Sequence, residues 1–140
     1  MDILLDAGYL IDLFAKTERH ESAVRVRIAY GKARLHTLWE CIAEASHKLD
    51  NKGRQAMLLW LAKNATIHAS QIADIEKMTA YMRKYANASK GDGADVTDVC
   101  LVFLAYKLKT TYIFTVDKAD FDTYKTLSGK PFNRLWVKDS

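Results

Sequence analysis

Short apolar runs of strand length alternate along the chain with longer segments whose apolar residues recur at helical spacing. The runs predict five strands, at residues 3–5, 34–37, 66–69, 112–116 and 133–137, because buried parallel strands are short and rich in apolar and β-branched residues. The segments between them predict six helices, at residues 9–14, 18–30, 38–49, 54–63, 70–85 and 95–108. Strands that alternate with helices are typical of parallel βαβ units, so the pattern predicts a compact α/β sandwich.

Two of the predicted helices have clear apolar faces. The helix after the second strand, which Thr37 is expected to N-cap, carries Leu38, Cys41, Ile42, Ala45 and Leu49 on its apolar face. Gly53 is expected to separate this helix from the next one. The helix predicted to start at Ser70 is expected to bury Ile72, Ile75, Met78, Ala80 and Met82. Residues 87–93, "NASKGDG", are predicted to form a loop.

Composition indicates an ordinary globular protein. The chain has 140 residues, 49% of them hydrophobic and 27% charged, which argues against a disordered tail or a fibre and fits one domain over residues 1–140. Its formal net charge is +4. A mild basic excess is compatible with a polyanionic partner such as RNA, although many basic proteins bind no nucleic acid.

The cysteine content and the hydropathy of the sequence indicate the cellular compartment in which the protein is expected. Cys41 and Cys100 each lie in an apolar stretch and lack the spacing of zinc ligands, so a reducing compartment is the simpler expectation. The longest apolar run, residues 99–106, is too short to span a bilayer. The N-terminus carries Asp2 and Asp6 in place of the cationic region of a signal peptide. We therefore expect a cytoplasmic protein with no membrane partner.

Five acidic residues occupy positions where parallel strands end or helices begin. Asp6 follows the first strand, Asp117 follows the fourth, Asp95 and Asp98 begin the helix before that strand, and Glu44 lies on the helix after the second strand. Ligands in open α/β sheets bind beyond the carboxyl ends of the strands. Converging carboxylates repel one another unless they are protonated or neutralised by a cation, and oxygen ligands favour Mg²⁺ or Mn²⁺.

Each of these acids also has a plain structural interpretation. Asp95 and Asp98 can interact with the helix dipole, Asp6 can N-cap the following helix, Asp117 can be a turn residue and Glu44 a solvated charge. Taken together, the positions of these acids at strand ends and helix starts favour the functional interpretation. A site of this kind would present metal-bound water to a phosphodiester, as expected of a metal-dependent phosphodiesterase.

Other candidate motifs are weaker. The Glu44-x-x-His47 pair lacks the second Glu-x-x-His of a di-iron site. The segment "GDGADV" lacks the third glycine of a dinucleotide fingerprint and follows a helix. The apolar surroundings of Cys41 raise the pKa of a thiol and argue against thiol catalysis. Trp39, Trp60 and Trp136 are assigned to the core or to an interface.

Three segments of the chain resemble the PIN domain of VapC-type toxins. They are "ILLDAGYLIDLF", "TLWECIAEASHKL" and "DVTDVCLVFLAYKLKTTYIFTVDKADFDTYK", and the segments "YMRKYA" and "GKPFNRL" are also similar to one subgroup. The resemblance extends over nearly the whole chain. It implies a three-layer α/β/α sandwich around a short parallel sheet of about five strands, with Mg²⁺- or Mn²⁺-dependent endoribonuclease activity.

The resemblance also implies roles for particular residues. The acidic quartet of the family corresponds to Asp6, Glu44, Asp98 and Asp117, which would be both catalytic residues and metal ligands. Asp95 would be an accessory metal ligand, and Thr115 matches a hydroxyl residue two positions before the last acid. Glu40 competes with Glu44, which is preferred because "AEA" is the context that the family shows.

The sequence departs from the family at two places. The residue after the first Asp is usually Thr or Ser, and here it is Ala7. The loop at residues 87–93 is longer than usual and is expected to bring Asp92 near the acidic cluster. Both departures leave the acidic quartet intact.

The leading hypothesis is the toxin ribonuclease of a type II toxin–antitoxin pair. RNA would be the substrate, an antitoxin a possible protein partner, and a homodimer the expected assembly, with Trp60 as a candidate interface residue. Arg19, Lys90 and Lys118 are candidate phosphate-binding residues. The alternatives are a PIN-like module that binds RNA or protein without cleavage, which Ala7 favours, and a hydrolase or phosphotransferase acting on a small phosphate ester.

Overall fold

The computed structural model describes residues 1–136 and contains a five-stranded sheet whose pairings are all parallel. The strands are β1 (Asp2–Leu5), β2 (Arg34–Leu38), β3 (Ala65–His68), β4 (Tyr112–Phe114) and β5 (Asn133–Arg134), in the spatial order β3-β2-β1-β4-β5. The central strand β1 buries Ile3, Leu4 and Leu5 completely, because helices cover both faces of a parallel sheet. All five predicted strands are confirmed, although residue 137, predicted at the end of the last one, lies outside the described residues.

Residues 1–136 form seven α-helices between or beside the strands. They are α1 (Ala7–Phe14), α2 (His20–Ala29), α3 (Trp39–Ser46), α4 (Asn51–Asn64), α5 (Ile75–Lys84), α6 (Val96–Leu108) and α7 (Lys118–Thr123). Parallel crossovers are right-handed, and the chain steps from β1 to β3 in one direction and from β3 past β1 to β5 in the other. The rule places α1–α4 on one face of the sheet and α5–α7 on the opposite face. Packing of α1 against α2, α3 and α4, and of α5 against α6, agrees, so the predicted α/β/α sandwich is confirmed.

Helix α6 is the most deeply buried helix and introduces a carboxylate into the core. Asp98 and the seven residues after it, through Ala105, are all buried. The helix is buried on all sides because it packs on β1 and β2 and also touches α3 and α5, as expected of a helix without a polar face. Asp98 is the only charged residue in this buried run. The fold therefore places one acid where a neutral residue would be expected.

The expected capping role of Thr37 is wrong. Thr37 lies inside β2, fully buried, and its hydroxyl donates to the carbonyl oxygen of Leu5 at 2.9 Å. Helix α3 begins at Trp39 without a side-chain cap and ends at Ser46. Strand β2 continues one residue further than predicted, to Leu38. The hydroxyl of Thr37 therefore joins β2 to β1 and does not cap the helix. The predicted apolar face of this segment is confirmed, since all five of its residues are buried.

The expected helix break at Gly53 is also wrong. Gly53 lies in the first turn of α4, and its N–H donates to the N-cap Asp50 Oδ1 at 2.7 Å. A Cβ at this position would lie 3.1 Å from that oxygen and 3.3 Å from the Phe14 carbonyl oxygen. The glycine permits a close approach between α4 and the end of α1 and does not interrupt the helix.

The segment predicted as one helix over residues 70–85 is divided. A 3₁₀ turn at Ile72–Asp74 precedes α5, and Ile72 and Ile75 are 86% and 53% exposed, contrary to the predicted buried side. Ala80 is exposed too, while Met78 and Met82 are half-buried and Tyr81 is buried. Helical spacing alone placed the apolar side one turn too early, because the regular helix starts only at residue 75.

The tryptophans and cysteines occupy different environments. Trp136 is buried and packs edge-on against Tyr9 at 5.0 Å, whereas Trp39 is 54% exposed, contrary to a core assignment. Trp60 is half-buried against Phe14 at 5.7 Å. Cys41 and Cys100 are buried free thiols, and burial raises the pKa of both. No helix within residues 1–136 has the length and apolarity needed to cross a membrane.

Candidate functional site

A cleft opens at the carboxyl ends of β1 and β4. The two strands end level with each other, because Leu5 pairs with Phe114, so the residues that follow them meet at one edge of the sheet. The cleft has a volume of about 320 Å³. Its lining consists of Asp6, Ala7, Gly8, Ile11, Glu44, Lys48, Ser89, Asp95, Asp98, Val116, Asp117 and Asp120.

The structure brings all five predicted site acids into this cleft. These acids come from four places along the chain: Asp6 follows β1, Glu44 lies on α3, Asp95 and Asp98 begin α6, and Asp117 follows β4. Their meeting follows from the parallel sheet, which points its strand ends to one edge. Their roles in metal binding and catalysis remain predictions. Glu40, the competitor of Glu44, does not line the cleft, and its buried Oε2 has no hydrogen-bond partner.

Asp6 both caps a helix and belongs to the cluster. Its Oδ1 accepts from the Ala7 N–H at 2.7 Å at the start of α1, and its Oδ2 accepts from the Thr115 hydroxyl at 2.7 Å. Burial is the main reason that the pKa of Asp6 is raised to about 6, and the charges of Glu44 and Asp95 raise it further. The hydrogen bonds only partly offset that effect.

Asp98 is the most strongly perturbed acid of the cleft. It is buried in the first turn of α6, and its Oδ2 accepts from the Tyr124 hydroxyl at 3.1 Å. Burial, together with the nearby charges of Asp6, Asp95 and Asp117, raises the pKa of Asp98 to about 9. Asp95 lies one turn earlier as the N-cap of α6 and accepts from the Thr97 N–H at 2.7 Å.

Thr115 connects the first and last acids of the cluster. Its hydroxyl donates to Asp6 and accepts from the Asp117 N–H at 3.0 Å. Asp117 then caps α7 by accepting from the Asp120 N–H at 3.1 Å. Burial raises the pKa of Asp117 to about 6, and the pKa of Glu44 is raised by burial and by Asp95. A buried hydroxyl therefore joins the carboxylate of Asp6 to the backbone of Asp117 at the end of the sheet.

Asp120 was not predicted as a site residue. Ligand atoms of Asp98, Asp117 and Asp120 lie within 4.8 Å of one another. The acid is buried by α7, a short helix that the apolar pattern did not predict. The available signal was its position three residues after Asp117, since residues three apart share one face of a helix. Both of its carboxylate oxygens accept from Ser89, one from the N–H at 3.0 Å and one from the hydroxyl at 2.8 Å.

The donor set suits a hard divalent cation. None of the six ion pairs within residues 1–136 involves a carboxylate of the cleft. Burial raises the pKa values of Asp6, Asp98 and Asp117, and no ion pair in that part of the chain offsets this effect. Carboxylate oxygens without nitrogen or sulfur ligands fit Mg²⁺ or Mn²⁺. Asp98, Asp117 and Asp120, with Asp6 beside them, are the residues placed to hold such an ion.

The hydroxyl that Ala7 lacks is supplied to the first acid by Thr115. Ala7 is buried and offers only its N–H, which Asp6 accepts. The hydroxyl that contacts the first acid comes from Thr115. The missing side-chain oxygen at residue 7 therefore does not leave Asp6 without a hydroxyl donor.

The three predicted phosphate-binding cations lie at different places relative to the cleft. Lys90 lies in a groove next to the cleft, Lys118 is exposed beside Asp117, and Arg19 pairs with Glu18 at 3.7 Å and does not line the cleft. Lys48, which was not predicted, does line it. Asp92, expected near the acidic cluster, is exposed and does not itself line the cleft; its N–H donates to the carbonyl oxygen of Ser89, which does line it.

Fold and site geometry together define a PIN-like α/β/α domain with an acidic cleft at the carboxyl edge of its sheet. Among solved structures, the chain is similar to the crystal structure of VapC20 from Mycobacterium tuberculosis, a toxin that cleaves the sarcin–ricin loop. The TM-score is 0.71 at 13% sequence identity, over 83% of this chain and 90% of VapC20. This likeness confirms, at the level of fold, the PIN-domain resemblance of the sequence. No model of a known protein family and no curated protein matches the chain.

Proposed function

We propose that this protein is a metal-dependent endoribonuclease. The observation that carries the proposal is the convergence of six acids in one cleft, none of them in an ion pair within residues 1–136: Asp6, Glu44, Asp95, Asp98, Asp117 and Asp120. A site that concentrates negative charge in this way is suited to a divalent cation and to phosphodiester chemistry. The fold shared with VapC20, which cleaves an RNA loop, supports RNA as the substrate.

The acids have separable roles in this proposal. Asp98 and Asp117 hold the ion, with Asp120 adjacent and Asp6 fixed by Thr115. When bound, Mg²⁺ or Mn²⁺ lowers the pKa of a coordinated water and stabilises the negative charge of the departing oxygen. Asp95 is an accessory ligand at the start of α6. Glu44, exposed at the mouth of the cleft, orients the attacking water, and Lys48 beside it attracts the substrate phosphate.

The decisive variant is Asp98→Asn. Replacing the carboxylate by an isosteric amide removes a metal ligand and leaves an oxygen to accept from Tyr124, so we expect Mn²⁺-dependent RNA cleavage to be abolished in a folded protein. Cleavage of a labelled RNA is followed with and without EDTA, and folding is followed by circular dichroism. The matched control is Asp92→Asn, an exposed acid outside the cleft. Wild-type cleavage rates in purified Asp98→Asn would refute the assignment.

We also propose that the ribonuclease is the toxin of a type II toxin–antitoxin pair, acting in the cytoplasm as a homodimer. Expression of the wild-type chain is then expected to arrest bacterial growth, and Asp98→Asn is expected to relieve the arrest. A small antitoxin gene beside the gene for this chain would support the pairing. Light scattering of the purified protein tests the dimer, and Trp60→Ala tests its interface. Growth unaffected by wild-type expression would count against the toxin role.

A second candidate is a PIN-like module that binds RNA or protein without cleaving. The observation that favours it is Ala7, which gives the first acid no hydroxyl from its own helix. Calorimetric titration with Mn²⁺ distinguishes the two, because a binding module needs no metal in the cleft. A panel that sets RNA against small phosphate esters separates both from a phosphatase-like activity.

A further inference from the structure

A second groove adjoins the acidic cleft and shares three of its residues. It runs between the end of α5, the segment at residues 85–90 and α7, with a volume of about 560 Å³. Ser89, Asp117 and Asp120 line both the groove and the cleft. The remaining lining residues are Lys84, Tyr85, Asn87, Ala88, Lys90, Ala119 and Thr123. We call this feature the lysine groove, because its two cationic residues are Lys84 and Lys90.

The floor of the lysine groove is rigidly connected to the cleft. The Tyr85 ring packs against Tyr81 at 4.5 Å and Tyr124 at 5.7 Å, and its hydroxyl accepts from the Lys125 N–H at 3.1 Å. The Tyr124 hydroxyl in turn donates to Asp98 inside the cleft. A packed aromatic cluster thus fixes the groove relative to the acids, so the distance between the two sites is set by the core.

The backbone that presents Lys90 is held in an uncommon conformation. Ser89 and Lys90 have φ values of 52° and 57°, in the left-handed region that residues other than glycine rarely adopt. Both oxygens of buried Asp120 accept from Ser89 and hold this turn in place. Asp120 therefore fixes the turn that carries Lys90 at the rim of the groove.

Charge explains why a polyanion would enter by this groove. The carboxylates of the cleft repel a nucleic acid strand, so phosphates on either side of the reacting one need cations nearby. Lys48 lies in the cleft, and Lys84 and Lys90 lie in the adjoining groove. None of these three lysines takes part in an ion pair within residues 1–136. The Lys84 ammonium lies over the Tyr85 ring, 5.7 Å from its centroid, a contact that leaves its charge unneutralised, so no paired carboxylate competes with phosphates for these lysines.

We propose that the lysine groove binds the single-stranded RNA segment flanking the scissile phosphate, with Lys84 and Lys90 each contacting one backbone phosphate. The inference rests on the proposed ribonuclease function for the identity of the polyanion. Contact through phosphates means that the groove contributes affinity without base preference. Lys84 and Lys90 are thus substrate-positioning residues, distinct from the acids that would hold the metal.

The test measures RNA binding without cleavage. Wild type, Lys84→Gln and Lys90→Gln are titrated against a fluorescent single-stranded RNA in EDTA over a range of KCl concentrations. The association constant K falls as salt rises, so the slope of log K against log salt is negative. Each lost phosphate contact is expected to make this slope less steep by about 0.7, which corresponds to about fivefold weaker binding at 0.1 M salt relative to a 1 M reference. Lys90→Arg is expected to restore the slope. Lys63→Gln, at the exposed end of α4 and outside both cavities, is the control.

The outcomes separate this inference from the proposed activity. If wild type fails to cleave RNA in Mn²⁺ but binding in EDTA still depends on Lys84 and Lys90, the ribonuclease proposal fails and the groove stands. If RNA is cleaved and both glutamine variants bind with the slope of Lys63→Gln, the groove inference is overturned. Absence of any RNA binding by wild type in EDTA overturns it as well. In the cleavage assay, we expect both variants to raise KM and leave kcat unchanged.

Discussion

Two aspartates at opposite ends of β1 experience opposite electrostatic environments. Asp2, at the start of the strand, accepts from Arg34 at 2.8 and 3.0 Å and contacts the His36 ring at 2.8 Å, and these hydrogen bonds hold the pKa of Asp2 well below its usual range. Asp6, just after the strand, has only a hydroxyl and a backbone N–H as partners, and its pKa is raised to about 6. One carboxylate is fully compensated and the other is not.

The difference extends to the surroundings of each residue. Asp2 begins a polar network that continues through His36 to His68, with the facing ring nitrogens of the two histidines 3.0 Å apart. Lys107 pairs with Asp74 at 2.7 Å, and the charge of Lys107 also lowers the pKa of His68. The cleft gathers six acids and one lysine, Lys48, and none of its carboxylates is in an ion pair within residues 1–136. Compensated charges are typical of structural networks, whereas strongly perturbed and uncompensated carboxylates in a cleft are candidates for function. The comparison can be tested by removing charge from either end.

The largest effect on stability is expected from Asp98→Asn in metal-free protein. The folded-state pKa of Asp98, about 9, lies above the ordinary value of 3.8 for an aspartate, so the folded state binds more protons and the free energy of unfolding falls as pH rises between those values. The amide removes this loss, and we expect the variant to be more stable than wild type by on the order of 3 kcal/mol at pH 7. Urea unfolding of both proteins in EDTA across pH measures the difference.

Adding Mn²⁺ is expected to reverse the order of stability, so that wild type becomes more stable than Asp98→Asn. A cation that binds only the folded protein stabilises wild type in proportion to its concentration, and the variant lacks a ligand. If Asp98→Asn is less stable than wild type in EDTA at neutral pH, the cleft is not electrostatically strained and the contrast with Asp2 fails.

Asp2→Ala is expected to have a smaller effect of the opposite sign. It leaves the buried His36 ring without its carboxylate partner and removes the paired hydrogen bonds of Arg34, so the free energy of unfolding should fall by about 1–2 kcal/mol. Thermal unfolding at neutral pH measures the loss. Asp122→Ala removes a comparable pair of hydrogen bonds with Arg134, in which the carboxylate is more exposed than Asp2 and the arginine is more buried than Arg34, and it serves as the reference. Equal losses in the two variants would show that the histidine contact with Asp2 contributes nothing.

The smallest expected effect is the pH response of His68. Burial, with the charges of His36 and Lys107, lowers the pKa of His68 below 6.5. The unfolded chain then binds a proton that the folded protein does not, so stability is lost as pH falls below 6.5, by less than about 1 kcal/mol for a partly exposed group. His68→Gln should reduce the loss of stability between neutral and mildly acidic pH, while exposed His47→Gln should leave it unchanged. Identical pH profiles for the two variants would contradict the assignment.

The two regions thus oppose each other in their dependence on pH. Metal-free stability is expected to decrease with rising pH because of the cleft acids and to decrease with falling pH because of His68. The contribution of Asp98 is the larger of the two and spans pH 3.8 to about 9, so the combined expectation for wild type is a loss of stability as pH rises through this range. Asp98→Asn should reduce that loss without removing it, because the pKa values of Asp6 and Asp117 are raised as well.

Much of the fold was predictable because short-range pattern and topology agree. The apolar runs at residues 3–5 and 112–116 could hardly be anything but buried strands, and alternation with helices implies a parallel sheet. The errors fell where local pattern was ambiguous. Ile72 and Ile75 have helical spacing but precede the regular helix, and α7 has only six residues, too few for a periodic signal. Thr37 has the chemistry of an N-cap, but β2 extends past it.

The sequence by itself determined where the acids lie relative to strand ends, and that sufficed to predict which five would line one cleft. Only the tertiary structure decided their environment. Asp98 has its raised pKa because α6 is buried on all sides, and Asp120 joined the cleft because α7 folds over the sheet edge. The pairing of Asp2 with His36, and of His36 with His68, depends on strand register. Burial and register are properties of the assembled chain, and local sequence encodes neither of them alone.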